Sequence, residues 1–270
     1  SYWRHQGVEI RARNLGDHLR YAARMKLFEH LGIDFHPRQR EHEEAGRFLP
    51  ITRVGDRSEI RGVIGDVSAL LHLDEQPDTL AAVQFCVSEL LRNVIEHSGS
   101  AQGAFVCAQR FSRGSAPRVS IAVADCGVGI AAHLGRAYAE AARGDQAAIA
   151  LALQPGVTGA LPGLYGTAEN AGAGLFLTRS IAKGTGGYFA VVSGRAAYRQ
   201  YRTNSAVEQT RLYFDPLDEH HNLWTVPKWQ GTVVAVEVRT DRIENFEGFF
   251  SWIRKQMPTR ERTQRKIRFT

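Results

Sequence analysis

The chain has 270 residues, 43% of them hydrophobic and 23% charged, a balance that suits one large domain or two modest ones with a substantial core. No apolar run approaches the roughly 20 residues of a membrane helix and no secretory leader opens the chain, so a cytoplasmic protein without membrane contact is expected. The net charge of +6 is local, because residues 254–270 hold seven basic residues and one acidic; a uniformly basic nucleic-acid-binding domain is not indicated, and only this tail offers nucleic acid a contact.

In chain order, Leu15, Leu19, Ala22, Ala23, Leu27 and Leu31 recur at helical spacing, which predicts an amphipathic helix over 15–31 with Gly32 as its C-cap. Residues 34–46 read as a polar loop. Residues 47–54 read as a strand that Pro50 confines to an edge or a break. A helix over 58–71 carries two weakening glycines, Gly62 and Gly65. Pro77 and Asp78 open a better-signalled helix whose apolar stripe runs to His97. Residues 104–111 and 118–124 alternate as strands around a short turn-rich loop, predicting an antiparallel hairpin. An Ala- and Gly-rich stretch follows, with short helices expected over 130–143 and 146–153 and a loop over 154–170. A helix begins in the glycines of Gly172-Ala-Gly174 and ends in Gly184–Gly187, and a strand covers 188–193. Residues 196–230 read as a polar, aromatic insert with strand-like pieces at 197–201 and 210–214. The strongest strand pattern is 231–239, and a closing helix is expected over 246–257. Cys86, Cys107 and Cys126 lack metal-ligand spacing and read as unpaired thiols of a reducing compartment.

Three stretches carry chemistry. Asp125-Cys-Gly-Val-Gly-Ile130 follows a strand, so a carboxylate stands at a corner where two glycines let a flat ring approach the backbone. Glu89 and Asn93 are four apart and share one helical face. Magnesium takes a few protein oxygens and completes its shell with water and phosphate, so Asn93 is a candidate ligand and Glu89 a candidate base for an attacking water. Gly172-Ala-Gly174 opens a helix, whose unpaired N–H groups suit phosphate. Taken singly, the Asp125 stretch is more often only a turn and the Glu89–Asn93 pair more often a solvated helix face, and Gly172-Ala-Gly174 also suits a plain helix entry. No P-loop and no dinucleotide fingerprint is present.

The order of these patterns, Glu-x-x-x-Asn, then Asp-x-Gly-x-Gly-Ile, then Gly-x-Gly-Leu, then Gly231-Thr232, resembles the GHKL group of ATP-binding domains, which includes gyrase, the ninety-kilodalton heat-shock chaperone, histidine kinases and MutL. The matching residues span 77 to 239. The resemblance implies a Bergerat fold: a two-layer α/β (α+β) sandwich with a mixed, mostly antiparallel sheet covered by helices on one face. It also implies roles. Asp125 would accept from the adenine amino group with Thr232 supporting it, and Gly127, Gly129 and Ile130 would lie against the purine. Asn93 would bind magnesium. Gly172, Gly174 and Leu175 would hold phosphate, and residues 130–171 would close as a lid. ATP and Mg2+ are thus the expected cofactors.

Glu89 resembles the ATPase branches and the anti-sigma kinases, whereas Asn93-Val-Ile-Glu-His97 looks more like kinases. The expected function is slow ATP hydrolysis with Glu89 as general base, lid closure switching contact with a protein partner. The alternatives are a protein kinase of the anti-sigma or histidine type, or a nucleotide-binding regulatory module without turnover. A homodimer is compatible with each. No phosphoacceptor pattern follows His18 or His30, and His220-His221 has no third ligand at zinc spacing. The expected organisation is an accessory segment 1–75, an ATP-binding domain 76–243, and a terminal helix and basic tail 244–270.

Overall fold

The computed structural model describes residues 6–37, 47–73, 75–112, 116–157 and 172–257. Most of the expected loop 154–170, the greater part of the basic tail, and the lid residues 158–171 lie outside the described residues. Five strands, β1 (Phe48–Val54), β2 (Ala104–Phe111), β3 (Arg118–Asp125), β4 (Tyr188–Gln200) and β5 (His221–Arg239), make one open sheet in the order β1-β2-β3-β5-β4. The chain is therefore a mixed α/β protein. The expectation of a mixed sheet is corrected, because all four pairings are antiparallel. The cause is the position of β5. It enters between β3 and β4 and runs against both, so those two point the same way without touching.

Side chains alternate across each strand, and the burial follows. Val119, Ile121, Val123 and Asp125 of β3 are buried while their neighbours are half-buried. The buried side packs on α4 (Pro77–His97), whose Val83, Val87, Leu90 and Leu91 share one core with Val106, Val234 and Val236. The α4 boundaries are those the sequence predicts, with proline in the first turn where its missing N–H costs nothing. On the same side α3 (Ile60–Leu70) packs on β1 and α4, and α7 (Gly174–Gly184) packs on α4, β4 and β5. The closing helix α9 (Phe246–Gln256) is capped by Asn245, which accepts from Gly248 N–H at 2.8 Å, and tied to the start of α4 by Phe246 N–H donating to Asp78.

The opposite sheet face is partly covered as well. The helix expected over 15–31 is broken into a short 3-10 turn (Asp17–Leu19), α1 (Arg20–Arg24) and α2 (Leu27–Leu31). The break is at Lys26, which is left-handed at φ +60°. The Met25 carbonyl accepts from Ile51 N–H, while Tyr21 donates to Gln109 at 2.7 Å and the His30 ring packs edge-on against Phe105. Docking onto the sheet thus overrides helix continuity. Pro50 falls where β1 loses register between Leu49 and Thr52, on an edge strand, as its missing N–H requires. Residues 48–70 join the sheet and the core and do not form a separate layer.

The stretch 196–230 differs from the expected insert. Residues 197–200 continue β4, 210–214 form no strand, and 221–230 are the first half of β5. Strand β4 also doubles back. Eleven extended residues span roughly 36 Å, yet the Arg199 guanidinium lies 5.2 Å from the Tyr188 ring and Arg202 makes two 2.7 Å bonds to Glu237, the residue opposite Tyr188. The bend coincides with the register shifts at Ser193–Ala196. The 203–220 excursion, with its short α8 (Ala206–Gln209), is stapled to α7. Buried Arg179 bonds Glu219 at 3.1 Å and also donates to the Tyr213 carbonyl, and Lys183 donates to the Arg211 carbonyl at 2.8 Å. The expected helices over 130–143 and 146–153 are α5 (Ile130–Leu134), a 3-10 turn at 141–143, and α6 (Asp145–Ala152). No helix among the described residues is long and apolar enough to cross a membrane.

Candidate functional site

Two of the singled-out patterns meet at the start of α7. Gly174, the first residue of that helix, faces the side of α4 that carries Glu89 and Asn93. A Cβ on Gly174 would lie 2.6 Å from Glu89 Oε2 and 3.6 Å from Asn93 Nδ2, so a larger residue here would make the Glu89 side chain shift. The N-cap residue Ala173 supplies no side-chain hydrogen bond, and the first-turn N–H groups of a helix have no intrahelical acceptors. Leu175 is half-buried and anchors the same turn in the core. Asn93 Nδ2 is buried and has no hydrogen-bond partner among the described residues. Glu89 pairs with Arg92, 3.3 Å away. Burial raises its pKa above the ordinary glutamate value, Arg92 opposes this, and Glu96 adds to it. A carboxyl shifted in this direction is a stronger base than an ordinary glutamate.

Asp125 stands at the end of β3, buried at 2% exposure. Its Oδ1 accepts from Gly127 N–H at 2.7 Å. Burial pushes its pKa up to about 6, against backbone hydrogen bonds from Gly127 and Thr232 that pull it down. Gly231 crosses it at φ +95°, and a Cβ there would lie 2.6 Å from Asp125 Oδ1. Glycine is required at this position both for the left-handed backbone and for the contact. Gly129 ends the turn and Ile130 begins α5, where Ile130 N–H donates to Ser193 Oγ at 2.9 Å. That hydroxyl donates to the Gly231 carbonyl at 3.1 Å and lies 3.2 Å from Thr232 Oγ1.

Helix α4 joins the two halves. Its last turn touches the Asp125 loop, since Val128 N–H donates to the Ser98 carbonyl at 2.8 Å. Asn93 and Glu89 stand five and nine residues earlier, or about 8 and 14 Å along the axis. Gly172 packs against Val157, whose carbonyl lies 2.7 Å from where a Cβ would be, so the two described ends flanking 158–171 meet beside α7. The His97 and His133 rings lie 4.8 Å apart, linking the end of α4 to α5. The ten singled-out residues lie on α4 (Glu89 and Asn93), at and just after the end of β3 (Asp125, Gly127, Gly129 and Ile130), at or just before the start of α7 (Gly172, Gly174 and Leu175) and in β5 (Thr232).

Ser193, Ser98 and Gln230, whose Nε2 donates to the Gly127 carbonyl, were not singled out from sequence. Ser193 could have been found from the register that sets it opposite Thr232.

The donor set fits magnesium only with help. No group of three His, Cys, Asp or Glu is present among the described residues, so Asn93 would need phosphate and water oxygens to complete a shell. The unpartnered Asn93 Nδ2 is an N–H donor, which suits a phosphate oxygen, and magnesium would fall to Asn93 Oδ1. No protein-family model, curated protein or solved structure matches this chain.

Proposed function

We propose that the chain is an ATP- and magnesium-binding domain of the GHKL type, folded as a Bergerat sandwich, that hydrolyses ATP slowly and uses closure of residues 130–171 to change its contact with a protein partner. The observation that carries this reading is the seating of Gly174 against Glu89 and Asn93, with Asp125 at the far end of the same helix. A buried carboxylate at one end and unpaired amides at the other suit a base with an exocyclic amine and a chain of phosphates, and the spacing along α4 favours a nucleotide over a nucleoside.

In this reading Asp125 accepts from the adenine amino group, beside the Gly127 and Gly129 backbone. Thr232, hydrogen-bonded near Ser193, supports that end. The α7 amides from Gly174 and Leu175 hold phosphate. Asn93 holds magnesium, which supplies charge neutralisation between phosphates when bound. Glu89 orients water and takes its proton as the oxygen attacks the terminal phosphorus, with ADP leaving.

The fate of γ-labelled ATP in the presence of magnesium tests this. Free labelled phosphate, lost on Glu89→Ala, is the expected result. Label on a protein would indicate the kinase alternative. Binding without release would indicate the regulatory module.

The Asp125 pKa gives a second expectation. Folding raises it from 3.8 to about 6, so the unliganded fold favours the protonated acid and loses that stabilisation as pH rises through about 6. An adenine amino donor bonds the ionised form more strongly than the acid. Affinity for adenosine, a probe without titrating phosphates, is expected to fall by about tenfold per pH unit below about 6. Calorimetric titration between pH 5 and 7.5 reads this. A flat profile in the wild type would remove Asp125 from the adenine site.

A further inference from the structure

The sheet face opposite Asp125 carries a groove of about 620 Å3, within the range of small-molecule sites. Its floor is low because Ser120, Ala122 and Ala235 are small. One wall is Tyr21 and Met25 of the N-terminal segment. The other is Tyr188 and Tyr201, brought together where β4 doubles back, with the His220 ring stacked 4.6 Å from Tyr201.

The charges select the occupant. The carboxylate on the floor, Glu237, is 5% exposed and already saturated, by Arg202 in two 2.7 Å bonds and by Arg118 at 2.9 Å. Arg199 differs. Its guanidinium lies over the Tyr188 and Tyr201 rings, at 5.2 and 5.0 Å, and pairs with no carboxylate among the described residues. A cationic ligand would meet a neutralised acid and ring faces already taken by Arg199. A flat anion would find aromatic and apolar walls for its ring and, for its charge, a guanidinium that faces two rings and no carboxylate among the described residues.

We infer that this groove is a second ligand site, which takes a planar aromatic oxyanion of the aryl carboxylate or sulfonate class. It stands independently of the nucleotide reading, since it shares none of that site's residues.

The test uses the described protein with 1-anilinonaphthalene-8-sulfonate as probe and N-phenyl-1-naphthylamine as the same skeleton without the anion. The sulfonate is expected to bind saturably at one molecule per chain, on the order of tenfold more weakly in Arg199→Gln, and not to be displaced by ATP. Arg199 is exposed, so this variant is expected to fold. Ala122→Phe, which fills the floor, is expected to abolish binding with the thermal unfolding midpoint retained. Equal affinity for the uncharged analogue, unchanged affinity in Arg199→Gln, or full displacement by ATP would overturn the inference. Loss of ATP binding in Asp125→Asn with sulfonate binding intact separates the two sites.

Discussion

Glu89→Gln is expected to lower ATP turnover by roughly 10²–10⁴-fold and to leave ATP affinity within a few-fold of wild type. The substitution keeps the shape and the oxygen that faces Gly174 but removes the group that takes a proton. It also removes the charge facing Arg92, but burial already disfavours that charge, so the stability change is expected to be small. The split between kcat and affinity distinguishes a base from a scaffold. Single-turnover phosphate release alongside equilibrium binding measures it. Equal loss of both would assign Glu89 to holding the α4–α7 contact.

Gly231→Ala is expected to destabilise the fold by about 3 kcal/mol, a fall of roughly 6–12 °C in the unfolding midpoint for a chain of this size. An alanine at φ +95° is strained before any contact is considered. Its Cβ would also enter the backbone and carboxylate of Asp125, which sits in the sheet and cannot yield as a flexible side chain would. Nucleotide affinity is expected to fall further than stability alone explains, because the atom displaced is the Asp125 carboxylate itself. Thermal unfolding with and without ATP reads both effects. An unchanged midpoint would mean that β5 relaxes freely at this point.

How much of this was legible in the sequence depended on how local the cause was. Helix α4 was readable to its ends, because its stripe and its proline are local signals. Pro50 correctly marked an edge. The break at Lys26 was invisible, since it arises from Met25 and Tyr21 docking onto strands far along the chain. The length of β4 and β5 was missed for a related reason. Residues 194–200 and 221–230 have mixed polarity, and their strands are held by distant partners, such as Asp145 accepting from Arg195 N–H at 2.8 Å.

The candidate site divides in the same way. Glu89, Asn93, Asp125 and the glycines carry recognisable spacing. Ser193, Ser98 and Gln230 act through register and carbonyl positions that no short pattern records. The stacked Arg199 and the groove beneath it depend on the β4 bend and left no sequence signal.

The most direct measurement is equilibrium binding of magnesium-ATP at pH 7.5 to the wild type and to Asp125→Asn. Saturable wild-type binding at one nucleotide per chain, weakened at least tenfold by the substitution, is the predicted result. Binding of equal strength in the two proteins, or none in the wild type, would contradict the assignment of this pocket to ATP.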